Sequence, residues 1–160
     1  MPYFRIAKNG VAAFGVFFAI TSAASAFDGG DAVKGEKTFK KCASCHMVGD
    51  GAKNKVGPVL NDVFGRSAGS VEDYKYGKSI IAAGEAGLVW NEEEMFEYLA
   101  DPRKYLRAKL DDKKAKSKMS FRLKKEDERK DVIAYIRTFS PEAASEEGAE
   151  SEETESTATN

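Results

Sequence analysis

The segment KKCASCHMVGD, residues 40–50, contains both cysteines and the only histidine of this 160-residue chain. Cys42, Cys45 and His46 form a Cys-x-x-Cys-His pattern, which places two thiols and one imidazole close together in the chain. Four chemistries use such groups: a redox-active dithiol, a structural zinc site, a local disulfide, and covalent attachment of haem c. In the last of these, the thiols add to the haem vinyl groups and the adjacent histidine ligates the iron.

The residues around the motif separate these four chemistries. A redox dithiol is expected beside a strand–helix–strand pattern, which the flanking sequence lacks. A structural zinc site normally takes four Cys or His ligands, whereas this chain has three in total. A local disulfide leaves His46 without a role. Haem c uses all three side chains, so the sequence predicts one covalently attached haem c per chain, bound through Cys42 and Cys45, with His46 as an axial ligand.

The second axial ligand is predicted by elimination, since the chain has no second histidine and four methionines. Met1 is removed if the N-terminus is cleaved, and Met47 adjoins the first ligand. Met95 lies on an apolar helical face, where core packing explains it. Met119 lies in the lysine-rich stretch KAKSKMSF, which gives a thioether little other reason to be there. A His46/Met119 iron has no vacant position for a substrate, which indicates a one-electron carrier rather than an enzyme.

Residues 1–26 have the composition of a signal peptide. Arg5 and Lys8 precede an apolar run, and Ala24-Ser25-Ala26 matches a cleavage site. The alternative is an uncleaved membrane anchor, but the run is shorter than the ~20 apolar residues that span a bilayer. We therefore expect cleavage after about Ala26 and export to a bacterial periplasm.

The charges divide the remaining chain in two. Residues 27–140 carry 23 Lys and Arg against 19 Asp and Glu, and are expected to form one domain. Residues 141–160 contain seven Glu, no basic residue and no large apolar residue, which predicts a disordered acidic tail. This tail either confers solubility, which we favour, or folds over the basic surface of the domain and competes with partners.

Helical patterns predict a small all-α domain. A first helix is expected from Asp31 to about Lys41, a second begins with Asn91 as its N-cap, and a third runs from about Lys125 to Phe139. Pro102 either ends the second helix or begins another. Residues 46–76 are rich in glycine and predict a long loop, which is expected to wrap around a bound group.

Seven landmarks, taken in order, identify a family. The chain resembles class I cytochromes c, and most closely the larger bacterial cytochromes c2 and c550, over roughly residues 31–140. The landmarks are GEKTFKKCASCH, GPVLNDVFGR, YKYGKSI, LVW, EYLADPRKYL, KSKMSF and DVIAYIRTF. The resemblance implies the small cytochrome c fold, in which N- and C-terminal helices cross and long loops enclose the haem. It places Gly35, Phe39 and Tyr135 at the crossing.

The resemblance also implies roles for residues around the haem. The Pro58 carbonyl would accept a hydrogen bond from the His46 ring. Arg66, Tyr76 and Trp90 match positions that contact a haem propionate, and Tyr98 and Ser117 match hydroxyls near the methionine ligand. By the same resemblance, methionine ligation gives the ferric protein a far-red absorption band.

Lysines near the haem-binding segments suggest a docking surface for acidic partners. They are Lys40, Lys41, Lys53, Lys55, Lys113, Lys114, Lys116 and Lys118. The resemblance implies a soluble monomeric carrier between membrane complexes. A bc1-type complex would be the donor, and an oxidase, reaction centre or reductase the acceptor; no nucleic acid is expected. The alternative function is a haem c peroxidase or gas sensor with a labile sixth ligand.

Overall fold

The computed structural model describes residues 29–140. The expected signal peptide and acidic tail lie outside the described residues. Within them the chain forms five α-helices: α1 Ala32–Phe39, α2 Lys78–Glu85, α3 Glu92–Ala100, α4 Pro102–Lys109 and α5 Glu126–Arg137. The all-α prediction is confirmed, because an isolated bridge between Ser67 and Val89 is the only β pairing in the described part.

Three helices begin at the side-chain caps that their sequences contain. Asp31 accepts hydrogen bonds from the backbone of Val33 and Lys34, and Asn91 accepts one from the backbone of Glu94. Asp101 caps α4 in the same way, with Pro102 at the first helical position, where its missing N–H costs nothing. Pro102 therefore begins a new helix after a one-residue corner, and α3 and α4 are packed against each other.

The sequence did not predict α2. Gly77 is its N-cap and makes no side-chain hydrogen bond, and the helix contains Gly84, so local start signals are weak. Gly84 is required by tertiary packing: a Cβ there would lie 2.0 Å from the carbonyl oxygen of Ala68. The helix is thus fixed by its contact with the loop before it, which a local pattern does not reveal.

The crossing of α1 and α5 joins the two ends of the domain, as expected for the fold. Gly35 lies against the backbone of α5, and the ring of Phe39 packs on that of Tyr135 with centroids 5.4 Å apart. Val132 and Ile133 of α5 are fully buried in the same core. A second link to α5 comes from α3, where the buried carboxylate of Glu92 contacts the Arg137 guanidinium.

Residues 40–77 connect α1 to α2 without a helix or strand. Hydrogen bonds close this loop on itself, among them Gly57 N–H to Cys45 O at 2.8 Å and Leu60 N–H to Met47 O at 3.1 Å. The Asp62 N–H also donates to Phe139 O beyond α5. Between residues 29 and 140, no helix combines the length and the apolar character that crossing a bilayer requires.

Candidate functional site

A cavity of about 420 Å³ lies among the 40–77 loop, α3, α5 and the segment 116–121. This volume is within the range of about 300–1,000 Å³ that is usual for sites of organic ligands. Ten residues that the sequence singled out for cofactor binding line this one cavity: Cys42, Cys45, His46, Pro58, Arg66, Tyr76, Trp90, Tyr98, Ser117 and Met119.

The Cys-x-x-Cys-His motif continues the chain directly from α1. Turn hydrogen bonds run from Cys42 N–H to Phe39 O at 2.7 Å and from His46 N–H to Cys42 O at 2.9 Å, and they bring all three motif side chains to the cavity wall. The two cysteines are not joined in a disulfide. Burial raises the pKa of Cys42 to about 11, which is opposite to the thiolate activation that a redox dithiol needs.

The His46 imidazole is fixed by its neighbours in the loop. Its Nδ1 lies 2.8 Å from the carbonyl oxygen of Pro58, which can only accept, so Nδ1 carries the proton and Nε2 keeps its lone pair. Burial lowers the pKa of His46, which favours the neutral form that metal ligation requires. Gly57 makes room for the ring, because a Cβ there would lie 2.3 Å from His46 Cε1.

Two of the three methionines in residues 29–140 line the cavity. Met47 does not, whereas Met95 and Met119 do. Met95 is a core residue of α3 with 6% of its surface exposed. Met119 is half-buried in a segment without regular structure, so it is less constrained by core packing than Met95.

The segment before Met119 is held by contacts to α3 and to the long loop. Tyr98 Oη and Ser117 Oγ are 3.3 Å apart, and burial raises the pKa of Tyr98. Lys118 Nζ donates to the carbonyl oxygen of Lys75 and lies 6.0 Å from the centre of the Tyr74 ring. These contacts tie the methionine segment to both neighbouring walls of the cavity.

Arg66 brings a positive charge to the cavity wall. Its Nη1 and Nη2 donate to the carbonyl oxygens of Asn61 and Val59 at 2.9 and 3.0 Å. Burial lowers the pKa of Arg66 and raises that of Tyr76. Because the two carbonyls are neutral, the guanidinium retains its charge toward the cavity, which suits a cofactor that carries carboxylates.

Together these groups fit haem c: two thiols, a neutral imidazole, a thioether, a cation and apolar walls. Sequence reasoning did not single out Leu60 and Val63, which form the apolar walls together with Ile80, Leu99, Val132 and Ile136. The stripe on the last helix did predict that Val132 and Ile136 are buried, but only the tertiary structure turns them toward a cofactor cavity. Within residues 29–140 no group of three or more His, Cys, Asp and Glu side chains is arranged to hold a metal ion.

The eight lysines of the expected docking surface are all exposed, but they differ in their contacts. Lys41 forms an ion pair with Glu128, Lys55 Nζ donates to Ala43 O at 2.7 Å, and Lys118 is bound as described above. Lys116 also lines the mouth of the cavity. The remaining four lysines are exposed and do not line the cavity: Lys40, Lys53, Lys113 and Lys114.

The chain is similar to known proteins over much of its length. The family model described as "Cytochrome c" matches residues 32–140. Cytochrome c2 iso-1 of Rhodospirillum centenum is 50% identical over 117 residues, which cover 69% of this chain and 98% of that protein. Cytochrome c-551 of Roseobacter denitrificans is 47% identical over 125 residues, which cover 74% of this chain and 88% of that protein.

Solved structures agree with the sequence comparison. Cytochrome c2 from Rhodospirillum centenum superposes with a TM-score of 0.68 at 48% identity, covering 70% of this chain and 100% of that one. Cytochrome c2 from Paracoccus denitrificans gives a TM-score of 0.66 at 43% identity, covering 71% of this chain and 99% of that one.

Proposed function

This chain belongs to the cytochrome c family, and we propose that it is a periplasmic one-electron carrier in which His46 and Met119 are the axial ligands of the haem iron. Its cofactor is one haem c attached covalently through Cys42 and Cys45. Its function is electron transport rather than enzyme catalysis. The haem, when bound, supplies an iron that accepts and returns a single electron.

The observation that carries the proposed ligation is that Cys42, Cys45, His46 and Met119 all line one cavity. The proton on His46 Nδ1 is held by Pro58 O, which leaves Nε2 as the donor atom toward the iron. Met119 would supply the neutral sulfur that raises the reduction potential. If His46 and Met119 both held the iron, a substrate would have no place on the metal.

The other residues that line the cavity would determine the polarity and charge around the haem. Apolar walls such as Leu99 and Ile136 keep water away from the centre of the site and lower the local dielectric constant. Arg66, with Tyr76 and Trp90 beside it, would hold the carboxylates of the cofactor. Because the Arg66 guanidinium is already held by two backbone carbonyls, it needs little reorganisation when the charge of the site changes.

The proposed partners are membrane redox complexes with acidic docking faces. We expect a bc1-type donor and an oxidase, reaction centre or reductase as acceptor, with the chain acting as a monomer. Support comes from the relatives of this chain, which include bacterial cytochromes c2. It also comes from the exposed lysines at the cavity mouth, among them Lys116.

The test is an optical spectrum of the purified protein, oxidised and then reduced, for the wild type and Met119→Ala. We expect c-type bands in both proteins, and a ferric far-red band that Met119→Ala abolishes. Met95→Leu is the matched control, because Met95 also lines the cavity, and it should keep the band.

The opposite pattern in the two variants would make Met95 the ligand. A wild-type protein with haem bands but no far-red band would overturn the proposed ligation and favour the open-site sensor or peroxidase. Export is tested separately, by the N-terminal sequence of protein isolated from the periplasmic fraction. A mature chain that begins at about Phe27 supports the proposal, and a cytoplasmic, uncleaved chain contradicts it.

A further inference from the structure

Three consecutive acidic residues begin α3, and the structure gives each a different environment. Glu92 is buried and contacts Arg137, whereas Glu93 is exposed. Glu94 is half-buried and faces α4, where its carboxylate accepts hydrogen bonds from Tyr105 Oη and Lys109 Nζ. Acidic residues interact favourably with a helix N-terminus, and this accounts equally for the presence of all three glutamates at the start of α3. It does not account for the specific contacts that Glu94 makes with α4.

The Tyr105 ring held by Glu94 belongs to a cluster of three aromatic rings. Its centroid lies 6.4 Å from that of Trp90, nearly parallel at 24°, and 5.6 Å from that of Tyr98, nearly perpendicular at 88°. Trp90 and Tyr98 are themselves in edge contact at 5.0 Å. These distances lie in the range of about 4.5–7 Å at which aromatic pairs attract. Each ring therefore restricts the other two.

The cluster connects the Glu94 carboxylate to the cofactor cavity. Trp90 and Tyr98 line the cavity, whereas Tyr105 is not among its lining residues and packs behind them. On its far side the Tyr98 hydroxyl contacts Ser117 Oγ at 3.3 Å, two residues before Met119. A continuous series of contacts thus runs from the surface of α3 to the segment that carries the proposed ligand.

We propose that Glu94 is a positioning residue for the methionine side of the site: by anchoring Tyr105 against Trp90 and Tyr98, it holds the Tyr98–Ser117 contact in place and stabilises Met119 on the iron. This role rests on the proposed function, because it takes Met119 as the axial ligand. Glu94 itself does not line the cavity, so it acts through Tyr105.

The protonation states of Glu94 and Tyr105 keep the hydrogen bond between them intact at neutral pH. Burial alone would raise the pKa of Glu94, but donation from Lys109 and Tyr105 lowers it, so the carboxylate stays ionised. Burial raises the pKa of Tyr105, and the Glu94 carboxylate raises it further, so the phenol keeps its proton. A charged acceptor with a neutral donor makes a stronger hydrogen bond than two neutral groups.

The corner between α3 and α4 positions Tyr105 and Lys109 to contact Glu94. Asp101 caps α4 through Lys104 N–H at 3.0 Å, and Pro102 starts the helix immediately afterwards. Leu106 is fully buried, which fixes the rotation of α4 about its axis. Tyr105 and Lys109 are four residues apart and so lie on one face of α4, and that face meets Glu94.

The test measures how firmly Met119 is held, with imidazole as an external ligand that competes for the same axial position. Ferric wild type, Glu94→Ala and Tyr105→Phe are titrated with imidazole, and loss of the far-red band reports the displacement of Met119. We expect both variants to bind imidazole about tenfold more tightly, equivalent to about 1.4 kcal/mol. Glu93→Ala is the matched control, with the same change in charge one residue away, and should bind as the wild type does.

Three results overturn the proposal. Equal imidazole affinity in Glu94→Ala and Glu93→Ala would show that Glu94 does not act on Met119. An unchanged Tyr105→Phe, which keeps the ring and removes only the hydroxyl, would show that the hydrogen bond is not the anchor, even if Glu94→Ala folds poorly. A wild-type protein without a far-red band would refute the proposed Met119 ligation itself. A wild-type protein that has the band, with variants that bind imidazole equally, would refute only the role of Glu94.

Thermal unfolding followed by far-UV circular dichroism separates positioning from general stability. If Glu94 positions Met119, imidazole affinity changes even at temperatures where the helices of every variant remain folded. If the change in affinity appears only where the helical signal is already being lost, the role is merely structural and the proposal fails.

Discussion

Gly35 of α1 lies so close to α5 that a Cβ at this position would be 1.9 Å from the carbonyl oxygen of Asp131. The backbones of the first and last helices are therefore in direct contact. Such an approach needs a residue without a side chain at this point of the crossing, although glycine in a helix interior costs about 1 kcal/mol relative to alanine.

Gly35→Ala is expected to destabilise the holoprotein by about 2–3 kcal/mol, because the two helices must separate to admit the methyl group. The gain in helix propensity offsets only part of this loss. Urea unfolding followed by circular dichroism measures the free energy. Lys37→Ala, an exposed position of the same helix, should stay within about 0.5 kcal/mol of the wild type. Equal stability of both variants would refute the close-packed crossing.

Gly57→Ala is expected to make the reduction potential more positive. A Cβ at this position would collide with the His46 ring, and the resulting tilt weakens donation from Nδ1 to Pro58 O. A weaker hydrogen bond makes the imidazole a poorer electron donor, which stabilises the ferric state less. Spectroelectrochemical titration measures the potential, with exposed Lys53→Ala in the same loop as the control. A potential that is unchanged or more negative contradicts this account of the His46–Pro58 contact.

Asp31→Asn is expected to make folding less sensitive to acid. Hydrogen bonds from the Lys34 and Val33 backbone lower the pKa of Asp31 in the folded chain. The ionised Asp31 cap therefore contributes its full stabilisation of the fold at pH values above the ordinary pKa of an aspartate. That contribution is lost as the pH falls from about 4 through the lowered folded-state value. Asparagine also caps helices well, so stability at neutral pH should change little.

Urea midpoints measured at about pH 7, 4 and 3 would show the effect. The midpoint of Asp31→Asn should fall less steeply on acidification than that of the wild type. Asp50→Asn, an exposed loop carboxylate, serves as the control. Parallel acid profiles for wild type and Asp31→Asn would show that the cap does not contribute to acid sensitivity.

Lys116→Glu is expected to slow electron transfer with an acidic redox partner at low ionic strength. Lys116 is exposed and lines the mouth of the cavity, so reversing its charge weakens the attraction that guides docking. The difference should shrink as salt rises, because the screening length is about 8 Å at physiological ionic strength. Stopped-flow kinetics across a salt series measures it. Lys37→Glu, on α1, is the matched control, and an equal loss there would indicate a net-charge effect rather than a docking site.

The sequence alone determined the chemistry of this protein and most of its helices. Cys42, Cys45 and His46 lie within one five-residue segment, so their shared role could be predicted without tertiary information. The caps Asp31 and Asn91 and the stripe on α5 are equally local, because helix boundaries depend on neighbouring residues. The pattern of landmarks was sufficient to predict the family and the crossing of α1 and α5.

The tertiary structure decided what depends on contacts between distant segments. It formed α2 against Ala68, turned Leu60 and Val132 toward one cavity, and placed Gly57 under the His46 ring. It also gave three neighbouring glutamates different environments. Such relationships arise where segments far apart in sequence pack together, and no local propensity or periodicity encodes which of them will meet.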